Sequence, residues 1–123
     1  MADAFDPRSI AESLKEYWSP RVVGEVDDAY VKVAKILGTL AWHAHDDEDE
    51  LFMVLRGQMQ IEFPDRTVTL NEGEVFVVPK GQLHNPVAEK ECLILLIERK
   101  STRHTGDIVQ SNTRTIEEQL KQQ

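Results

Sequence analysis

The sequence has almost no cysteine, no excess of basic residues and no long apolar segment. Cys92 is the single cysteine of 123 residues, so a disulfide within the chain is excluded and a reducing compartment is expected, with the cytoplasm as the predicted location. No apolar run approaches the roughly 20 residues of a membrane helix. The N-terminal stretch MADAFDPRSI lacks the basic and apolar regions of a secretory signal. These absences predict a chain that is neither membrane-spanning nor exported.

The charge balance excludes two classes of partner. Lys and Arg number 14 against 22 Asp and Glu, which gives a net charge of −8 and an expected repulsion from nucleic acid and anionic membranes. Part of the acid lies in the run Asp46–Glu50, and its first four residues are interpreted as a solvated loop.

The length and composition predict one soluble domain with a modest core and short helices at its two ends. Hydrophobic residues make up 41% of the chain and charged residues 29%, which is ordinary for a globular protein. Asp6 can cap a first helix with Pro7 at its first position, and Pro20 ends it. That helix would place four apolar residues on one face: Ile10, Leu14, Tyr17 and Trp18. A weak second helix is predicted over Ile116–Lys121, with Thr115 and Glu118 as a capping box.

The interior of the chain reads as short strands separated by turn residues, which predicts an all-β sandwich or small barrel. The predicted strands are Tyr30–Leu37, Leu40–His45, Leu51–Arg56, Gln58–Phe63, Arg66–Leu70, Glu74–Val78, His84–Val87 and Cys92–Glu98. Two segments, Leu51–Leu55 and Leu93–Ile97, are apolar on both faces, so both faces should be covered. Because one small domain has a single core, we expect the second face to form a homodimer.

Two histidines and a glutamate stand close together in the stretch WHAHDDEDELFMVLRG. On a strand His43 and His45 project from the same face, with Cα atoms about 6.5–7 Å apart, so that both imidazoles can converge on one ion. Glu50 follows His45 by an odd number of residues, so on a regular strand it would point to the opposite face. The acidic stretch must therefore bend before Glu50 can face inward. The stretch GEVFVVPKGQLHNP adds His84 after a turn. Three imidazoles and a carboxylate suit one divalent transition ion per chain, such as Mn, Fe, Ni, Co, Cu or Zn.

These residues resemble the two motifs of the cupin superfamily. Gly38, His43, His45, Glu50 and Gly57 are similar to the first motif, although the spacer before His43 has four residues where the family usually has five. The second motif is matched by Gly73, Pro79, Gly81 and His84. The later asparagine of the family would fall at Ala88 and is absent.

The resemblance implies a jelly-roll β-barrel, commonly dimeric, over residues 22–99, with a helical segment at 1–21 and a tail carrying a short helix at 100–123. It also implies His43, His45, Glu50 and His84 as metal ligands. Cupins of this kind include dioxygenases, isomerases, decarboxylases and lyases. The first hypothesis is therefore a metal-dependent enzyme acting on a small oxygen-rich metabolite, with Glu50 also the candidate base. The alternative is a non-catalytic cupin that binds a metal or ligand for sensing or storage.

The remaining polar and aromatic residues give weaker signals. Candidate dry walls around the ion are Phe52, Val54, Phe76, Val78 and Leu83. Trp42 lies off the histidine face and is expected in the core or an interface, and Cys92 is expected to be an inert buried thiol. Lys32 and Lys35 are expected to be exposed, with the alternative that one of them reaches the barrel mouth and holds an anionic substrate. His104 is expected to lie on the surface. No nucleophile elbow or phosphate loop is present.

Overall fold

The computed structural model describes residues 3–102 and 116–121. Within these residues, two short helices and seven strands follow one another: α1 (Pro7–Ser13), β1 (Arg21–Val26), β2 (Ala29–Thr39), β3 (Glu50–Arg56), β4 (Gln58–Glu62), β5 (Thr67–Asn71), β6 (Val75–Val78), β7 (Asn85–Arg99) and α2 (Ile116–Lys121). The predicted all-β jelly roll with a helix near each end is confirmed. Neither helix is long and apolar enough to cross a bilayer.

The antiparallel strands form one curved sheet in the order β1-β2-β7-β3-β6, to which the β4–β5 hairpin is joined through β7. The first residues of β7 pair with β4, and the rest of the strand lies between β2 and β3. This strand therefore connects the hairpin to the main sheet. It also forms one wall of the barrel interior.

The inward faces of these strands form the core. Its buried members come from every part of the barrel: Ala34, Ile36, Phe52, Val54, Met59, Ile61, Phe63, Leu70, Val78, Ala88, Cys92, Ile94 and Leu96. A second cluster lies on the opposite face of the sheet, where Ala11 and Leu14 pack on Val33 and Leu93. The Asp6 side chain accepts a hydrogen bond from the Arg8 backbone N–H at 3.0 Å and caps α1, as predicted.

The rest of that outer face is apolar and is only partly covered by the described residues. Leu51 and Met53 of β3 lie opposite Val77 and Val75 of β6, and Leu51 also lies opposite Ile97 of β7. Val75 is 52% exposed and Val77 46% exposed. The segments predicted to be apolar on both faces therefore have one face in the core and one face directed outward.

Several element boundaries differ from the predicted ones. Helix α1 ends at Ser13, because Leu14 is already extended and the backbone of Tyr17 bridges to that of Lys35 on β2. The predicted strand Leu40–His45 is reduced to a single bridge at His43. The last two predicted strands are one continuous strand, β7, and β1 has no counterpart among the predicted strands. Thr115 lies outside the described residues.

Candidate metal centre

Two separate stretches of chain meet in the barrel interior. His43 and His84 form an antiparallel backbone bridge in which each N–H donates to the carbonyl of the other at 2.9 Å. Next to it, the N–H of Gly81 donates to the His45 carbonyl at 2.8 Å. Gly81 has a φ of +79°, a conformation that favours glycine, so the turn can return the chain at this point. The two motifs are thus joined through their backbones.

The imidazoles of His43 and His84 are held in one tautomer by backbone carbonyls. Nδ1 of His43 lies 2.8 Å from the carbonyl of Ala41, and Nδ1 of His84 lies 2.8 Å from that of Gln82. Because a carbonyl oxygen only accepts, each Nδ1 must carry the hydrogen and donate it. The lone pair is then on Nε2. Both Nε2 atoms are buried and have no hydrogen-bond partner.

The bend in the acidic stretch returns Glu50 to the same interior. Glu50 opens β3 and is 2% exposed, while Asp46, Asp47 and Asp49 remain exposed to solvent. Its Oε1 lies 3.4 Å from His45 Nε2 and 3.7 Å from His84 Nε2. The expected reversal of phase between His45 and Glu50 is therefore present.

The protonation states of His43 and Glu50 suit metal binding. Burial lowers the pKa of His43 to about 4, although its bond to the Ala41 carbonyl opposes the shift. Burial alone would raise the pKa of Glu50, but its close polar contacts with Glu98, His45 and His84 outweigh burial and hold that pKa well below its usual range. At neutral pH His43 is therefore a neutral imidazole and Glu50 a carboxylate.

The geometry and donor chemistry of the cluster fit a transition-metal ion. One ligand atom from each of His43, His45, Glu50 and His84 lies within 4.8 Å of the other three. Two atoms that each lie about 2.1 Å from one ion are at most about 4.2 Å apart, so small side-chain movements would close the set around an ion. Buried acceptors without a partner are costly, and Oε1 of Glu50 and Nε2 of His43 and His84 are three such atoms in one place. An ion would satisfy all three.

A narrow cavity adjoins the cluster, with room for about one water molecule. His43 and Glu50 form part of its lining. The other lining residues are apolar: Trp18, Pro20, Ala34, Ile36, Leu40, Phe52, Pro86, Ile94 and Leu96. The indole N–H of Trp18 donates to the Leu37 carbonyl at 2.7 Å and fixes the ring in this wall. Of the predicted walls, Phe52 lines this cavity, whereas Leu83 is 46% exposed and does not.

Two charged residues outside the predicted ligand set lie in the same interior: Glu98 is opposite Glu50 in the sheet, and Lys32 is beside Glu98. Lys32 is fully buried, and its Nζ is 2.9 Å from Oε1 of Glu98, which is also buried. The expectation that Lys32 is exposed is therefore wrong. The sequence did contain a signal for this burial. Lys32 is two residues from Ala34 and four from Ile36, so on a strand it lies on the same face as these two buried residues.

The other predicted residues lie away from the cluster. Lys35 is half-buried, and its ammonium donates to the Glu12 carbonyl at 3.1 Å. Cys92 is fully buried, and burial raises its thiol pKa to about 11, which agrees with an inert thiol. Trp42 is 42% exposed, so its expected place in the core is wrong, and an interface remains the prediction. His104 lies outside the described residues.

Comparison with known proteins accounts for this combination of barrel and cluster. The family model described as a cupin domain, Cupin_2, matches residues 31–98. The chain belongs to the cupin family. The matched range contains all four cluster residues as well as Lys32 and Glu98.

Individual relatives agree with this assignment. The chain is 35% identical over 112 residues to the uncharacterized protein YdbB of Bacillus subtilis, which covers 90% of this chain and 91% of that protein. A crystal structure of a cupin-2 domain containing protein from Shewanella frigidimarina matches with a TM-score of 0.75 and 41% identity, over 77% of this chain and 93% of the other. The 3-hydroxyanthranilate 3,4-dioxygenase 2 of Aspergillus fumigatus is 29% identical over 68% of this chain, which spans only 46% of that enzyme.

Proposed function

We propose that this cupin is a metal-dependent enzyme acting on a small oxygen-rich metabolite, by isomerase, dioxygenase, decarboxylase or lyase chemistry. One divalent transition ion would be held by His43, His45, Glu50 and His84. The proposal rests on one observation: three imidazole nitrogens and one carboxylate oxygen converge within 4.8 Å in the buried interior of the barrel. When bound, the ion would supply a Lewis acid or a redox partner.

The position of the cluster supports a catalytic rather than a structural ion. Structural zinc sites are closed on all sides by four protein ligands. Here His43 and Glu50 both line the adjoining cavity, so one side of the cluster faces space rather than packed side chains. A substrate larger than water would require the apolar wall residues to move, because the cavity has room for about one water molecule.

The charges of the ligands favour an oxygen anion as the fifth or sixth donor. Three neutral imidazoles and one carboxylate cancel only one of the two positive charges of a divalent ion. The apolar walls exclude water and so strengthen the attraction of the remaining charge for an anionic oxygen. Glu50 is also the proposed base, but its lowered pKa makes it a weak proton acceptor. We therefore rank its ligand role above its role as a base.

The relatives narrow the reaction type only slightly. The fungal 3-hydroxyanthranilate 3,4-dioxygenase 2 shares 29% of residues over an 89-residue stretch. That match favours dioxygenase chemistry among the four types. Because this chain spans 46% of the fungal enzyme, the substrate of that enzyme is not transferred to it.

We also propose that the chain is a homodimer. The outward face of β3, β6 and β7 is apolar across three neighbouring strands, and the side chains of Val75 and Val77 are about half exposed. A continuous apolar face of this kind is typical of a subunit interface. A second copy of the same chain would bury it.

The deciding measurement is the relaxation of solvent water by Mn²⁺-loaded protein, with and without oxalate or a hydroxy acid. Fast water exchange that the chelating anion suppresses is the expected result, because an open coordination position should accept either molecule. No exchange and no anion binding would mean a structural ion and would overturn the enzyme proposal. Turnover on a metabolite panel with different metals then separates an enzyme from a non-catalytic cupin for sensing or storage.

A further inference from the structure

The barrel interior contains a buried pair of carboxyl groups with a single lysine beside it. Glu50 of β3 and Glu98 of β7 are directly opposite each other in the sheet, and both are 2% exposed. Lys32 of β2 is 0% exposed, and its Nζ is 2.9 Å from Glu98 Oε1. Charged side chains are almost never buried unless they are paired. The charges of these three buried residues must therefore be balanced among themselves.

The two carboxyl groups also interact directly through their side chains. Two ionised carboxylates contain no donor, so a hydrogen bond between Glu50 and Glu98 needs one shared proton. With that proton the pair carries a single negative charge, which the Lys32 ammonium balances.

We infer that Glu98, anchored by Lys32, is a positioning residue that holds the Glu50 carboxylate towards the three imidazoles. The inference rests on the metal site proposed above and adds to it two residues outside the ligand set. Lys32 fixes one oxygen of Glu98, and the other oxygen is left for Glu50. Hydrogen bonds to a ligating carboxylate orient it, and their loss typically weakens metal binding about 10–100-fold.

The obvious single substitution is a poor test. Glu98→Leu would leave the Lys32 ammonium buried without its partner, which is strongly destabilising in its own right. A Lys32→Met background removes that ammonium and keeps the length of the side chain. Within it, Glu98→Gln retains a neutral group that can donate to Glu50, whereas Glu98→Leu is neutral and cannot donate. The two double variants therefore differ in the hydrogen bond and not in charge.

The experiment measures Co²⁺ affinity by competition with a chelator, together with the visible absorption of the bound Co²⁺. The full-length wild type, K32M/E98Q and K32M/E98L are compared, each shown by circular dichroism to unfold cooperatively. We expect K32M/E98L to bind Co²⁺ about 10–100-fold more weakly than K32M/E98Q and to shift the absorption band. A residue that serves only in packing would change the melting temperature and leave both readouts unmoved.

The outcomes separate the two proposals. If the wild type binds Co²⁺ tightly and the two double variants bind it equally well with the same absorption, the positioning role is overturned and the metal site stands. If the wild type itself binds no Co²⁺, the metal site is refuted, and the positioning role with it.

Discussion

His43 and His84 are joined by two reciprocal backbone hydrogen bonds, each 2.9 Å long, although 40 other residues separate them in the chain. The bridge fixes the relative positions of two imidazoles through the main chain, before any ion binds. Their ring centroids are 4.4 Å apart. A site whose ligands are already in place loses less conformational freedom on binding than one that must assemble around the ion.

Removing one imidazole should abolish stoichiometric metal binding. We expect protein purified without chelators to contain about one transition-metal ion per chain, and His45→Ala to lose it, because three ligands hold a divalent ion far less tightly than four. Elemental analysis measures both. His104→Ala is the matched control, since His104 belongs to neither motif. Full occupancy in the His45 variant would show that the ligand set is wrong.

Metal removal should destabilise the fold. Because the four ligands come together only in the folded chain, an ion adds its binding free energy to folding, about 2.7 kcal/mol at a free concentration 100 times its Kd. Thermal unfolding of metal-loaded and chelator-treated protein measures the difference. The same comparison on the His45→Ala variant should show almost none. An equal gain in the variant would place the ion elsewhere.

The metal-free protein should become less stable as the pH falls, over a pH window set by the pKa of His43. Its pKa is about 4 in the folded chain against 6.5 in the unfolded one. As pH falls between these values the unfolded state takes up the proton first, so the free energy of unfolding decreases. The contribution reaches roughly 3 kcal/mol once the pH is below both values. Urea unfolding of chelator-treated protein at a series of pH values measures it.

The His43→Gln variant isolates this contribution. Glu50 has a lowered pKa and acts in the same direction, whereas Glu98 has a raised pKa and acts in the opposite one. The free energy of unfolding of the wild type as a function of pH is therefore the sum of these three contributions. The difference in the free energy of unfolding between the variant and the wild type should change mainly between pH 6.5 and 4. A difference that is flat across this window would contradict the lowered pKa of His43.

A charge on the outward sheet face should disrupt the proposed dimer. Light scattering of the wild type should give twice the 14.1 kDa chain mass, and Met53→Glu should give monomer or aggregate, because a carboxylate in an apolar interface loses its hydration. Thr69→Glu, on the exposed side of β5, is the control. A stable wild-type monomer at micromolar concentration would refute the dimer.

Two glycines in similar turns should differ in their tolerance of alanine. Gly57 has a φ of +91°, and an added Cβ would lie 3.2 Å from the Glu91 carbonyl oxygen, whereas Gly73 has a φ of +84° and nothing within 4 Å. Both substitutions strain the backbone by about 1–2 kcal/mol, but only Gly57→Ala adds a close contact with backbone. Denaturant unfolding should therefore show the larger loss for Gly57→Ala. Equal losses would mean that the Glu91 segment moves aside.

The ligand cluster and the fold could be predicted from the sequence because their signals are local. The parity of His43 and His45, the bend before Glu50 and the turn at Gly81 each depend on neighbouring residues. The four side chains lie together in the structure as the two motifs implied. Metal binding by them remains a prediction.

Other features depend on contacts between distant segments and could not be predicted in this way. Lys32 and Glu98 are ordinary surface residue types, and only the pairing of β2, β7 and β3 brings them together next to Glu50. Strand β7 appeared as two strands because the polar residues 89–91 interrupt its apolar pattern. The structure carries the strand through them, with these residues exposed.

Strand β7 has a consequence for how the protein opens. It pairs with β2, β3 and β4, so its central amides are hydrogen-bonded within the sheet, while β1 and β6 lie at the two ends of the strand order. Edge strands can separate from such a sheet without disturbing the rest, whereas a central strand is released only when the whole domain unfolds. Hydrogen exchange should accordingly be slowest along Leu93–Leu96, and the barrel wall beside the cluster should persist through partial openings at either edge.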